Sequence, residues 1–423
     1  MISRIILSLP YQLIVILYVV FECLRNKKNF RSSISQRFGI GGIATARSIW
    51  IHSASLGEVR GVVPFVNALI KKHPETSLMF TTTSLTGLNE IRKEFPNAYS
   101  SLLPLDLGPI ISRYLKKHKP RLLIINETEI WPQLIIQAKR ISIPIAFING
   151  RISDEVYSNY LRLKFIFSTL VSKADLILAQ TPLDAERFIS LGANSKVVSV
   201  AGNTKFDTNI SLICAEVLKY YSALKDYSEL IVTFGSVREE EEEIVLNAID
   251  LVSANFKGVT FIAVPRYQER FLPFFYKLKQ INSNTVLRSD NLVQSKTTVD
   301  DNKIVLVDKI GELLAAYQVS NLAFVGGTYS DVGGHNILEP AYFSVPIIIG
   351  PKMETQRLAY DALKKKEGIV IIEDHNQLGT QIVSLLENRQ ELLNKGVNAH
   401  SAYLELKGSS ALILEKLQSF INK

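Results

Sequence analysis

Cysteine is nearly absent. The 423 residues contain two, Cys23 and Cys214. Two thiols cannot build a disulfide framework, and no Cys/His cluster has zinc-ligand spacing, so a reducing compartment fits. No acidic D-x-D cluster offers an obvious metal site, and no metal or other cofactor is expected. The six histidines are scattered. No Ser/His/Asp order emerges from them, and there is no P-loop pattern. His52 and His335 sit inside motifs. His73, His118, His375 and His400 read as surface or helix-end residues. Tandem repeats and low-complexity arrays are missing too.

Charge of one sign is also scarce over most of the chain. The net charge is +8, but residues 1–37 hold six basic residues against Glu22 alone, a local +5. The remainder is close to balanced, which excludes a broad nucleic-acid footprint. Long apolar runs are limited to one, Ile5 to Phe21, 17 residues with a single proline. That is the short limit for a membrane span. The basic cluster follows the apolar run, the reverse of a secretion signal. Residues 1–24 are therefore expected to anchor the chain in inner-membrane lipids, spanning or lying in the interface. Everything after them is expected at the cytoplasmic face.

What is present in quantity is alternation. From residue 48, short apolar runs alternate with helix-length segments such as Arg60–His73 and Glu239–Ala254. The first series of expected strands is Ser48–His52, Leu78–Thr82, Leu122–Asn126, Ile145–Ile148, Leu176–Ala179 and Val197–Val200. The second is Leu230–Phe234, Val259–Val264, Lys303–Val307, Leu322–Val325, Ile347–Ile349 and Ile369–Ile372. Two such series predict an α/β protein of two doubly wound, Rossmann-like domains with parallel sheets. The division is placed at 210/211, after Gly202-Asn203-Thr204-Lys205-Phe206-Asp207. The polar stretch Ser283 to Asp301 reads as a surface insertion.

In open α/β sheets ligands bind beyond the carboxyl ends of the strands, so motifs just after strands take priority. His52-Ser53-Ala54-Ser55-Leu56-Gly57-Glu58 follows the first. Glu58 has the chemistry to take a proton from a hydroxyl nucleophile, while Ser55 and Glu58 also have the spacing of a helix capping box. Asn126-Glu127-Thr128-Glu129-Ile130-Trp131-Pro132 sets two carboxylates and an indole at another strand end. They either serve a reaction or line an exposed loop. Lys205 is a candidate cation for a leaving phosphate, or a surface lysine. In the second half, Arg266 after Val264-Pro265 suits a phosphate or carboxylate. Gly311-Glu312 accompanies it. Gly333-Gly334-His335-Asn336-Ile337-Leu338-Glu339-Pro340 combines a glycine turn, a helix start and an acidic residue. It is either a phosphate-sugar site or a tight turn with a dipole-compatible glutamate. The acidic run Glu239 to Glu243 reads as a solvated first helical turn.

Taken in order, these motifs resemble the 3-deoxy-D-manno-octulosonic acid (Kdo) transferases of Gram-negative bacteria. Matching segments include H-S-A-S-L-G-E, N-E-T-E-I-W-P, N-G-R-I-S and G-N-T-K-F-D. They continue with V-P-R-Y-Q-E-R-F, D-K-I-G-E-L, A-F-V-G-G-T and G-G-H-N-I-L-E-P. The resemblance implies a GT-B glycosyltransferase whose two domains face a cleft. Residues 25–210 would bind the lipid A precursor as acceptor, and 211–423 would bind CMP-Kdo as donor. Transfer would be inverting and metal-independent. Glu58 is implied as catalytic base, with Glu127 and Lys205 as charge-stabilising residues. Pro265, Arg266, Ile310, Gly311, Glu312, Asn336, Ile337, Leu338 and Glu339 are implied as CMP-binding segments. The chain departs from the pattern at Ser236-Val237-Arg238, where the family often has Ser-Thr-His, and at Tyr267-Gln268, where it often has His-Pro. The usual Asn-Phe after Gly350-Pro351 is absent. A GT-B-type nucleotide-sugar epimerase and a non-catalytic membrane-bound nucleotide sensor are the alternatives. The first needs no anchor, and the second leaves Glu58 and the 127/129 carboxylates without a use.

Overall fold

The computed structural model describes residues 33–208, 213–290 and 301–422. The expected anchor, residues 1–24, lies outside the described residues. Among the described residues no helix is long and apolar enough to cross a membrane. The chain forms two units, each built on one seven-stranded parallel sheet.

The first unit runs to Thr208 and takes back the segment from Lys407. Its sheet has the order β3-β2-β1-β4-β5-β6-β7. The strands are β1 (Ile49–His52), β2 (Leu78–Thr82), β3 (Tyr99–Leu102), β4 (Leu122–Asn126), β5 (Ile145–Gly150), β6 (Leu176–Ala179) and β7 (Val198–Val200). Alternate side chains feed two cores, as a twofold strand period requires. Ile49 and Ile51 of β1 pack with Val59, Val62, Phe65 and Leu69 of helix α1 (Leu56–Lys72). Trp50 faces the other side, with Leu134 and Ala138 of the helix Pro132–Arg140.

The last helix, Ser409–Ile421, belongs to this first unit. Its Ile413, Leu414, Leu417 and Ile421 join the core of β1 and α1. The expected division, which gave all of 211–423 to the second domain, is corrected here. Gly408 and Ser410 donate backbone N–H to Asp207 at 2.7 and 2.6 Å, tying the returning segment beside the crossover. No local pattern distinguishes this amphipathic helix from those before it; only its partner surface does.

The second unit has the order β10-β11-β9-β8-β12-β13-β14. Its strands are β8 (Leu230–Val237), β9 (Val259–Pro265), β10 (Thr285–Leu287), β11 (Lys303–Leu306), β12 (Leu322–Val325), β13 (Ile347–Ile349) and β14 (Ile369–Ile371). Val232 and Phe234 pack against Val245, Ile249 and Val252 of the helix Glu242–Asn255. Ile231 and Ile262 pack on the opposite face, with Tyr221 and Ala316. Part of the stretch read as an insertion is therefore sheet. Thr285–Leu287 pairs with β11, and Arg288 just beyond it is buried; residues 291–300 lie outside the described residues. The acidic run is only partly a solvated turn: Glu239, Glu240 and Glu243 are exposed. Glu241 and Glu242 are buried, and Glu242 is held by Arg270 through bonds of 2.9 and 2.8 Å. Burial is sustained because Glu242 is paired with Arg270 and Lys277 and Glu241 accepts four backbone N–H bonds.

The central strand succession reverses between β1 and β4 in the first sheet and between β8 and β12 in the second, where the outer β10-β11 pair adds a further reversal. Such switch points leave a crevice at the carboxyl ends.

Candidate active site

Glu58 lies at the β1/β4 switch point of the first unit. Ser55 caps α1 by accepting the Glu58 N–H at 3.2 Å. The Glu58 carboxylate reaches back to accept the Ala54 N–H at 2.8 Å, through Oε2. The capping geometry and the reactive position therefore coexist, and the cap fixes where the carboxylate points. Burial raises its pKa above the ordinary glutamate value, against the lowering effect of these hydrogen bonds.

Glu127 follows β4 directly. Its backbone is left-handed, φ +59°, a conformation that costs a non-glycine residue energy and marks a position held by its surroundings. The Glu127 N–H donates to Ile148 O at 2.8 Å. Its carboxyl is pushed up by burial and by the Glu58 charge, and drawn down by Arg151 and Lys205. Glu129, two residues on, is raised to about 7 by burial and by the charges of Glu58 and Glu127. Three carboxyls thus gather at the carboxyl ends of the neighbouring strands β1 and β4, and the charges of neighbours oppose the ionisation of Glu127 and Glu129. Lys205 is the counterweight. Its Nζ lies 4.8 Å from the Phe206 ring centroid, and burial together with Arg151 lowers its pKa. Lys205 is half-buried here rather than a free surface lysine.

A buried polar network fixes these positions. Asn149 donates from Nδ2 to Asn126 Oδ1 and to Thr204 Oγ1, both at 2.8 Å. Asn126 donates to Glu58 O at 3.1 Å, and Thr204 Oγ1 donates to Gly61 O at 2.6 Å. The segments carrying Glu58, Glu127 and Lys205 are thereby bonded to one another. Beside them Trp131 Nε1 donates to His52 Nε2 at 3.1 Å. His52 is fully buried, and burial lowers its pKa to about 4, so it is neutral. With Nε2 accepting, Nδ1 carries the proton and faces Thr81 O and Oγ1 at 3.1 and 2.9 Å. Sequence reasoning gave no role to Asn126, Asn149, Thr204 or Arg151. Their signals were polarity at the ends of otherwise apolar strands and their place inside the matched motifs N-E-T-E-I-W-P, N-G-R-I-S and G-N-T-K-F-D. His118, read as a surface or helix-end residue, does end the helix Gly108–His118, but it is buried and accepts the Ala44 N–H at 3.1 Å.

The second unit brings together some of the expected donor residues and separates others. Arg266 follows β9 and is exposed. Glu339 sits in the first turn of the short helix Leu338–Tyr342 and accepts Asn336 Nδ2–H at 3.0 Å. Burial raises its pKa, while Asn336 and the Arg266 charge lower it. Gly333 and Gly334 adopt φ +72° and +83°. A Cβ on Gly334 would lie 2.3 Å from the Met353 sulfur, so glycine is required there. Pro265, Ile337 and Leu338 turn their side chains into the core and leave only backbone toward a ligand. Glu312 is also turned inward. Its Oε2 meets Arg288 Nε at 2.8 Å and accepts Tyr221 O–H at 3.1 Å. Ile310 is 75% exposed and Gly311, at φ +88°, has open space around it. The two departures Arg238 and Tyr267 touch each other, Arg238 Nη1 donating to Tyr267 Oη at 3.2 Å. Among the described residues no group of three or more His, Cys, Asp and Glu is arranged to hold a metal ion.

Two parallel sheets with site residues at their switch points define a GT-B-like α/β protein. A UDP-GlcNAc 2-epimerase from Neisseria meningitidis shares this fold, with a TM-score of 0.59 at 14% identity, covering 88% of this chain and 100% of that one. That likeness is one of fold alone. Residues 32–208 match the family model of 3-deoxy-D-manno-octulosonic-acid transferase (kdotransferase). The 3-deoxy-D-manno-octulosonic acid transferase of Aquifex aeolicus (strain VF5) is 30% identical over 376 residues, covering 88% of this chain and 94% of the relative. The one of Haemophilus influenzae (strain ATCC 51907 / DSM 11121 / KW20 / Rd) is 29% identical over 399 residues, 93% of this chain and 92% of the relative. The chain belongs to the Kdo transferase family and is a glycosyltransferase.

Proposed function

We propose that this protein transfers Kdo from CMP-Kdo to the lipid A precursor, lipid IVA, with inversion and without a metal. Glu58 accepts the proton of the acceptor hydroxyl as that oxygen bonds to the anomeric carbon of Kdo. The bond from that carbon to the CMP phosphate breaks, and its electron pair leaves on the phosphate oxygen. One displacement inverts the anomeric centre. CMP is a good leaving group, so the developing charge needs only positioned cations and N–H groups. Lys205 and Arg266 are the cations assigned to it. Glu127 and Glu129 hold the acceptor, and burial keeps Glu58 basic. In the second unit Arg266, Asn336 and Glu339 hold CMP with the backbone of 310–312 and 337–338.

The observation that carries this reading is the half-buried Glu58 carboxylate, fixed by Ala54 N–H at the β1/β4 switch point in a chain of this family. The work is placed at the cytoplasmic face of the inner membrane. The apolar run Ile5 to Phe21 beside a +5 segment supports that location.

The test is incubation of the full chain with CMP-Kdo and lipid IVA. A Kdo-lipid by mass spectrometry and stoichiometric CMP are expected, with the anomeric configuration inverted by NMR. Activity is expected to survive dialysis against a chelator. No Kdo-lipid would overturn the acceptor and donor assignment. A retained configuration would overturn the single displacement, and loss of activity on chelation would overturn metal independence.

A further inference from the structure

Arg238 follows the switch-point strand of the second unit at a built-in irregularity. Between Gly235 and Val237 the register of β8 against β9 shifts, and Ser236 takes φ +56°. Such a bulge re-aims the residues after it. The backbone is then clamped. Glu241 accepts the Arg238 N–H at 3.1 Å, together with the N–H groups of Gly327 at 2.8 Å, Thr328 at 3.0 Å and Tyr329 at 3.1 Å. Arg238 is thus fixed to the loop that follows β12, the other strand of the switch point.

Its guanidinium lies against Tyr267, 5.3 Å from the ring centroid, and Arg266 lies 5.9 Å from the same centroid. Two guanidinium groups therefore share one aromatic ring. Arg238 has a side chain only 17% exposed, and its Nε is buried without a hydrogen-bond acceptor. The ion pair to Glu240 is long, 3.7 Å. His335 Nε2 is a second buried nitrogen without a partner. The His335 ring is packed where a Cβ on Gly327 would stand, 2.7 Å from its Cδ2. Burial and the charges of Arg266 and Arg238 lower its pKa to about 4, so it remains neutral. Buried polar atoms left unpaired are uncommon and costly, and two in one cluster point to a ligand that pairs them.

We propose that Arg238 and His335 form a second anion pocket of the donor site, which takes the carboxylate of the sugar while Arg266 takes the phosphate. This rests on the donor being CMP-Kdo. An octulosonic acid linked to CMP through its anomeric carbon carries two anionic groups on that one carbon, a phosphodiester and a carboxylate. Two cations flanking one ring suit two adjacent anions. The planar fork of arginine suits a carboxylate in particular.

The experiment compares CMP with CMP-Kdo on the full chain carrying Arg238→Gln, Arg238→Lys, His335→Gln or Arg266→Gln, each checked for a parental melting curve. CMP lacks the carboxylate. Arg238→Gln is expected to bind CMP in calorimetry like the parent and to raise KM for CMP-Kdo roughly 10-fold or more, the cost of a bond to a charged group. Arg238→Lys is expected to recover part of that loss, and His335→Gln to show a smaller loss of the same kind. Arg266→Gln is expected to weaken both ligands. Equal weakening of CMP and CMP-Kdo by Arg238→Gln would make it a phosphate residue and overturn the pocket. A parental KM in folded Arg238→Gln would overturn it as well. Should Arg238→Gln not fold, a parental KM in both Arg238→Lys and His335→Gln overturns it. A parent that neither binds nor consumes CMP-Kdo would instead sink the donor assignment, and this pocket with it.

Discussion

Trp131 donates its indole N–H to His52 Nε2 at 3.1 Å, joining the loop after β4 to the end of β1. The bond exists only while His52 is neutral, because a protonated imidazole has no acceptor. Trp131 is one of two tryptophans in the chain, and Trp50 is buried. His52→Leu strands a half-buried indole N–H and is expected to cost about 1–3 kcal/mol. Trp131→Phe removes the other partner. A double-mutant cycle in urea is expected to give a coupling energy well above zero. Additive effects would mean that the pair contributes nothing beyond packing.

Glu58→Gln keeps the Ala54 N–H bond, since an amide oxygen accepts equally well, but cannot take a proton. Transfer is expected to fall about 10²–10⁴-fold with CMP affinity unchanged. A folded variant with a near-parental rate in single-turnover measurements would leave Glu58 only its capping role. Attention would then pass to Glu127 and Glu129.

Acid should destabilise the first unit through its histidines. His52 and His118 have folded pKa values lowered to about 4 from 6.5 by burial. Below 6.5 the unfolded chain binds protons that the folded chain refuses. Stability is therefore present above 6.5 and lost as pH falls toward 4. Glu129 acts in the other direction. Its folded value is raised to about 7 from 4.5, so its contribution is full below 4.5 and is lost as pH rises through 7. Melting temperatures across this range are expected to peak in Glu129→Gln at a higher pH than in the parent. An unchanged pH optimum of stability would refute the assigned shift at Glu129.

Leu417 is fully buried in the core shared with β1 and α1. Leu417→Ala is expected to destabilise the first unit by about 2–5 kcal/mol. Limited proteolysis should show earlier cleavage within 33–208 in this variant. An unaffected pattern would mean that the returning helix is not integral to that core.

Glu241 satisfies four backbone N–H groups from full burial. Glu241→Ala leaves them unpaired and is expected to be among the most destabilising single changes in the second unit, on the order of 3–5 kcal/mol. Glu241→Gln, which keeps two acceptor lone pairs but adds donors facing N–H groups, is expected to lie between. Chemical denaturation ranks the three proteins. An order other than parent, Gln, Ala would show that the loop finds other acceptors.

The sequence by itself determined the twelve strands whose side chains form apolar runs, the parallel α/β class and the family. Strand runs such as Leu122–Asn126 are buried on both faces, and burial on both faces requires a continuous apolar stretch that is visible locally. It did not determine Tyr99–Leu102 or Thr285–Leu287. Both are edge strands, with one neighbour and a less apolar composition, and only pairing with β2 and β11 makes them strands. The glutamates gave the same lesson. Glu127 and Arg266 stood out because each directly follows an apolar strand run, at a sheet's carboxyl edge, whereas Glu58 and Glu339 stood out through their motifs, each in the first turn of the helix that follows. Glu241 and Glu242 look solvated in sequence and Glu312 looks like a donor-site residue, yet the fold buries all three against N–H groups or arginines far away in the chain. Tertiary structure alone decided which carboxylates are structural, that the last helix returns to the first unit, and that Arg238 meets Tyr267. Each depends on partners distant in the chain, where no local pattern records the contact.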